Sequence, residues 1–304
     1  MKSSGTDHEA FEPIAIIGVG ALLPDANDAS EFWQNILDAR CSIKQLPDDR
    51  WNSEDHWVIG GPKNVDEGKT YSKIGAWIDG YEFDWRRWRL PPSSLPQIDP
   101  CQQWAVSVSA AALEDAGYLG ENARLSIPRE TTGVIFANAL GGENRTRSTE
   151  RVLIDRYERH ARESGISKED FSKLKQSILD GSPRVDEDTM PGELANVVAG
   201  RVANLLDLQG PNYTTDAACA SAIAAVLDAC HLLHSRQVDM MIAGAADRTM
   251  DPSTFAKFSA IGALSPNHSV PFDRRANGFV MGEGAGALIL KRLEDALLDN
   301  DRIY

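Results

Sequence analysis

The chain has 304 residues, 45 of them acidic and 31 basic for a formal charge of −14, with 42% hydrophobic and 25% charged residues. A chain of this size and composition buries a full core without disulfides or metals and is not disordered, and its acidity excludes broad binding to nucleic acid or to an anionic membrane, since both require a positive face. Cys41, Cys101, Cys219 and Cys230 form no CxxC pair, so neither a disulfide framework nor a metal site is expected, and the setting reads as reducing and cytoplasmic.

Residues 1–12, with Lys2, Asp7, His8, Glu9 and Glu12, read as a disordered or linker tail and not as a signal peptide. No apolar run reaches the roughly 18 residues that span a bilayer. Residues 13–20 (PIAIIGVG) are continuously apolar and bounded by Pro13 and glycines, which predicts a strand buried on both faces in a parallel sheet. Over 28–39, Phe32, Trp33, Ile36 and Leu37 recur at helical spacing with Ser30 as a cap. Residues 46–100 hold five of the seven tryptophans and Pro91-Pro92, the mark of a long decorated loop added to the sheet core. Helix is expected from Trp104 to Ala116, strand over 132–139, and a charged helical insertion over about 143–190, with helices at 151–164 and 168–179. Residues 217–233 (AACASAIAAVLDACHLL) predict a helix of about 25 Å, apolar all round and therefore buried on every face, with Thr214, Thr215 and Asp216 as capping oxygens. Further strands are expected at 238–246 and 284–290, so the class is α/β.

Cys219 falls in the first turn of that central helix. The positive end of the helix dipole and unpaired backbone N–H groups favour a thiolate there, which makes Cys219 a candidate nucleophile; position alone favours the plainer reading, since a cysteine in an alanine-rich helix is usually a small core residue. The surrounding words decide between them. Residues 214–222 (TTDAACASA) resemble the active-site cysteine motif of β-ketoacyl synthases, the condensing enzymes of fatty-acid and polyketide assembly. Residues 14–20 are similar to that family's opening strand, Asp99-Pro100-Cys101-Gln102-Gln103 to its DPQQ segment, and 201–211 (RVANLLDLQGP) to the stretch before the nucleophile. Pro271-Phe272-Asp273 and 282–286 (GEGAG) resemble two further signatures, in the family's order.

The resemblance implies a thiolase-like layered αβα fold with residues 13–304 as the N-terminal portion of the domain, the C-terminal half-fold being absent. It implies an acyltransferase in which Cys219 accepts an acyl group, its own amide donates an oxyanion contact, and a malonyl thioester undergoes decarboxylative condensation. No cofactor is implied; acyl carrier protein and acyl or malonyl thioesters are the implied partners, with a homodimer in the complete domain. Elongating members use two histidines, the first in an HGTGT-like word that this chain lacks, and His231, His234 and His268 read as structural or surface residues. The 304-residue chain alone is therefore expected to carry out no condensation, and its strands at 238–246 and 284–290 to lack part of their cover. Departures occur at Cys101, Trp104 and Ala220, while the wording of 90–100 and 190–204 is closest to iterative polyketide and polyunsaturated-fatty-acid synthases. The alternative is a non-catalytic homologue that acts as a dimerising or chain-length-setting partner.

Two other patterns compete for a function. Gly18 and Gly20 suggest a dinucleotide loop, but Leu23 stands where its third glycine belongs, so a tight strand exit is expected. Arg86 and Arg87, set among tryptophans, and Arg274 and Arg275 are candidate docking points for an acidic carrier protein, against the plainer reading of solvated loops.

Overall fold

A computed structural model describes residues 12–61 and 65–304; of the expected N-terminal tail, residues 1–11 lie outside the described residues. In chain order the elements are β1 (Ile14–Leu22), α1 (Ala29–Leu37), β2 (Ile43–Gln45), α2 (Ser53–His56), β3 (Ile74–Ala76), α3 (Pro100–Asp115), β4 (Thr132–Ala137), α4 (Asn144–Glu163), α5 (Lys168–Asp180), α6 (Thr189–Glu193), α7 (Val197–Leu206), β5 (Asn212–Thr215), α8 (Ser221–His234), β6 (Met240–Asp247), α9 (Pro252–Ala260), β7 (Gly284–Arg292) and α10 (Leu293–Leu298).

Five strands form one sheet in the order β1-β7-β6-β4-β5, and β2 pairs with β3 apart from it. The sheet is mixed, where a parallel one was expected: β4 runs parallel to β5 and β6, but β7 is antiparallel to both β6 and β1. Helices α3 and α7 cover one face and α8 the other, giving an αβα layering. On the first face Ile17, Val134, Phe136, Ile242 and Ile289 meet Val108, Leu113 and Val202; on the second Ile135, Met241 and Leu290 meet Ala225, Ala229 and Leu233.

The glycines of the first strand serve neither a strand exit nor a nucleotide loop. β1 continues through them to Leu22, and a Cβ on Gly18 or Gly20 would overlap the Ala112 or Val108 carbonyl of α3. They let helix and strand backbones approach closely. Asp99 caps α3 by accepting from Cys101 N at 2.8 Å, with Pro100 in its first turn, and it also accepts from Asn144 N at 2.9 Å at the start of α4. Gln102 donates to Pro191 O at 3.0 Å and accepts from Arg201 Nε at 2.5 Å. The DPQQ-like word is thus the joint between α3, the helical segment α4–α6, and α7.

Several expectations change. The cap of α1 is Asp28, which accepts from Glu31 N at 2.8 Å, and not Ser30; Phe32, Trp33, Ile36 and Leu37 are all exposed. Residues 46–100 are more than decoration, because Trp77 and Tyr71 are buried in a third apolar cluster with Met250, Phe255, Leu264 and Met281. The strands β6 and β7 are central and well covered, since α3 and α8 lie across them. Exposed apolar side chains lie instead outside these strands, on α1 and α8 among other places. Ala225, Ala229 and Leu233, four residues apart, bury one stripe of α8, while Ile223 is 73% and Leu227 54% exposed. A sequence apolar on all sides gives no contrast from which to read the inward face.

Candidate active site

The nucleophile candidate sits on a turn between β5 and α8, ahead of the helix. Residues Ala218–Ala220 form one 3-10 turn and α8 begins at Ser221, so Cys219 precedes the first turn it was expected to occupy. Ala218 has φ of 51°, a left-handed conformation that costs a residue with a Cβ and persists where its surroundings fix it. The fixing contacts are local. Asp216 Oδ1 accepts from Ala218 N at 2.8 Å, and Ser221 Oγ accepts from Ala217 N at 2.8 Å and donates to Ala218 O at 2.6 Å. Thr214 caps nothing, its hydroxyl donating to Ala195 O at 2.9 Å. The elbow leaves Cys219 exposed.

Cys219 opens onto a cavity of about 470 Å³. Its other walls are the C-terminal ends of β4 and β6, contributing Ala137, Asn138 and Ala245–Asp247, and the glycine-rich stretch 282–286 that leads into β7. Asn138 is buried and rigidly held, donating to Ala246 O at 2.8 Å and accepting from Gly141 N at 2.7 Å. Residues 282–286 run along the cavity wall into β7.

Behind that wall lies a charge cluster that sequence reasoning missed. The Glu283 side chain is wholly buried and pairs with Arg50; its Oε1 also accepts from Ile78 N at 2.7 Å. Arg248 Nε stands 3.8 Å from Glu283 Oε2 and 3.7 Å from Glu143 Oε2. Burial pushes both carboxyls up against the pull of the arginines, Glu143 to about 6. The only sequence trace was Glu283 inside the GEGAG-like word; Arg50, Arg248 and Glu143 lie in unremarkable stretches.

Of the other cysteines, Cys101 is fully buried and its thiol is pushed well up by burial, then by the charges of Asp99 and Asp247. Burial also raises the Cys230 thiol. No histidine lines the Cys219 cavity among the described residues. His231 is exposed and His234 Nε2 bonds to Glu12 O at 2.7 Å. His268, expected at the surface, is half-buried, its amide donating to Ser265 Oγ at 3.2 Å. Nor does the structure bring the expected docking arginines to the cavity lining. Arg87 pairs with Glu114 at 2.6 Å and Arg275 with Asp273 at 2.9 Å, so both charges are locally offset; Arg86 lies over Trp85 and Arg274 is exposed.

Residues 11–296 match the family described as "Beta-ketoacyl synthase, N-terminal domain". The chain belongs to the β-ketoacyl synthases. Among relatives of this family, the chain is 33% identical over 296 residues to a phenolphthiocerol/phthiocerol polyketide synthase of Mycobacterium tuberculosis, covering 96% of this chain and 17% of that protein. It is 32% identical to polyketide synthase PksL of Bacillus subtilis, covering 96% of this chain and 6% of that one. Solved ketosynthases share the fold: the Streptomyces albus oxazolomycin ketosynthase domain OzmH KS7 at a TM-score of 0.78 and 25% identity, covering 97% of this chain and 44% of that one, and the PfaC keto synthase-chain length factor at 0.80 and 28%, covering 96% and 30%. This β-ketoacyl synthase chain therefore has the thiolase-like fold and spans less than half the length of each of these relatives.

Proposed function

We propose that this chain supplies the nucleophile of a decarboxylative condensation in polyketide or fatty-acid synthesis. The observation that carries the reading is Cys219 itself, held on a left-handed elbow ahead of α8 and opening into a cavity at the C-terminal ends of two parallel strands. The Cys219 sulfur attacks the carbonyl carbon of an acyl thioester, the carrier thiol leaves with a proton, and an acyl-cysteine remains. A malonyl thioester then loses carbon dioxide, and the electron pair left on its α-carbon attacks the acyl-cysteine, releasing the Cys219 sulfur and forming a 3-oxoacyl thioester.

Among the described residues no hydrogen-bond acceptor takes the Cys219 amide, which leaves it available as an oxyanion donor in the first step. The proton-handling histidines of elongating relatives have no counterpart in this cavity, so condensation requires groups beyond those that line it and acylation does not. The substrates are acyl and malonyl thioesters on an acidic carrier protein, with Arg86 and Arg274 as the exposed cations for docking it and Arg87 and Arg275 as secondary ones. Pairing of the exposed edge strand β5 across a two-fold axis is the proposed route to a homodimer. The non-catalytic alternative gains nothing from this geometry, since an assembly surface needs no strained cysteine elbow.

The test is acyl loading followed by intact-protein mass. The native chain gains one acyl group from an acyl N-acetylcysteamine thioester and Cys219→Ala gains none. Equal loading of both proteins would refute the assignment.

A further inference from the structure

The stretch 282–286 in the wall of the Cys219 cavity is mostly backbone, with few side chains to hold it. Gly282, Gly284 and Gly286 alternate along it, and glycine in an extended segment leaves nothing to pack and much conformational freedom. Between the first two stands Glu283, whose side chain is the one long anchor in the stretch. It reaches a buried pair with Arg50 from the segment that precedes α2, 233 residues away in sequence. Arg50 Nη2 also donates to Ile78 O at 3.0 Å while Ile78 N donates to Glu283 Oε1 at 2.7 Å, closing a small ring of contacts. Backbone bonds run alongside, Glu283 N to Ala76 O at 3.0 Å and Ala76 N to Met281 O at 2.9 Å. The Arg50 guanidinium lies over the Trp77 ring, 5.7 Å from its centroid, and its own side chain is only 9% exposed.

Burying such a pair is weak support for stability alone, because desolvation of both ions offsets most of their attraction. Its geometry does something an apolar pair does not: one nitrogen of Arg50, Nη2, bridges Glu283 Oε1 and Ile78 O, and the same carboxylate oxygen takes the Ile78 amide, so the pair ties the Glu283 backbone to that of Ile78.

We propose that Arg50 is a positioning residue for acyl transfer: acting through Glu283, it sets the place of the glycine wall against which the acyl thioester lies when Cys219 attacks. This rests on the acyl-transfer reading given above. The wall then contributes to the rate of the step by orientation, and a loosened wall lowers that rate more than it weakens thioester binding.

The experiment measures single-turnover loading of the full chain by an acyl N-acetylcysteamine thioester, together with alkylation of Cys219 by iodoacetamide, a small reagent that does not rely on the wall. Arg50→Met is expected to lower the maximal loading rate by about 10-fold or more, with the half-saturating concentration changing by no more than about 3-fold and alkylation of Cys219 by no more than about 2-fold. Glu283→Gln is expected to give a similar loss, the double variant no further loss, and Arg50→Lys partial recovery. Should Arg50→Met fail to fold, Glu283→Gln and Arg50→Lys carry the same comparison. Folded variants that load at the native rate, or losses that multiply in the double variant, would overturn the positioning role alone. A native chain that is alkylated at Cys219 but never acylated would overturn the acyl-transfer reading, and this role with it.

Discussion

On one side of the Cys219 cavity the chain turns from β5 into α8 through an exposed elbow held by Asp216 and Ser221, contacts no more than five residues apart in sequence. On the other side the glycine wall is held by groups more than 200 residues away, Arg50 and Ile78, over a buried apolar cluster around Trp77. The Cys219 thiol is thus presented by a local, strained turn, and the glycine wall of its cavity is held by long-range packing. Local fixing suits a group that must stay accessible, because burying a cysteine raises its thiol, as at Cys101 and Cys230. Long-range fixing suits a wall with no side chains of its own.

Damage to the two walls should separate accordingly. Trp77→Ala removes a wholly buried ring stacked on Phe255 at 6.0 Å between centroids and should cost about 3–5 kcal/mol of stability, read from urea unfolding. A loss below about 1 kcal/mol would mean that residues 46–100 are the loose decoration their composition suggests.

A pH series sharpens the same wall. Burial raises Glu143 in the folded chain from 4.5 to about 6, so the folded state holds that proton more tightly than the unfolded one. Its contribution is therefore most favourable below about pH 4.5 and is lost as pH rises through about 6, by at most about 2 kcal/mol. Glu143→Gln, which does not ionise, should gain about that much relative to the native chain between pH 4.5 and pH 7 in thermal unfolding. Parallel stability profiles for the two proteins would contradict this.

On the elbow side, Ser221→Ala deletes the hydroxyl that braces Ala217 and Ala218 and should cost only about 1 kcal/mol. Its larger effect should be on acyl loading per folded molecule, slowed by about 10-fold. A variant that loses stability without losing loading would show that the elbow needs no brace.

What the sequence made legible follows the same division. The family words lie within short stretches, and so do the features they mark: Asp99 at the cap of α3, Cys219 beside α8, and the glycines leading into β7. The strands at 132–137, 240–247 and 284–292 are legible because each contains a run of apolar residues. Sheet direction was not, since an apolar run reads the same in parallel and antiparallel neighbours. The start of α8 was misplaced because alanines on both sides of Cys219 carry no stop or start signal, and the left-handed Ala218 gives no trace in composition. Arg50 and Glu143 stayed invisible because their partners are distant in the chain, so that no spacing rule links them to Glu283 and Arg248.

The most direct measurement is to find which thiol takes the acyl group. The full chain is incubated with an acyl N-acetylcysteamine thioester, digested, and its four cysteine-bearing peptides are assayed by mass for the acyl adduct. The adduct is predicted on Cys219, with Cys101 and Cys230 unmodified because burial raises their thiols and with Cys41, which is exposed but does not line the Cys219 cavity, modified only at a background rate. An adduct on Cys41 at the level found on Cys219, or none on Cys219, would contradict the account.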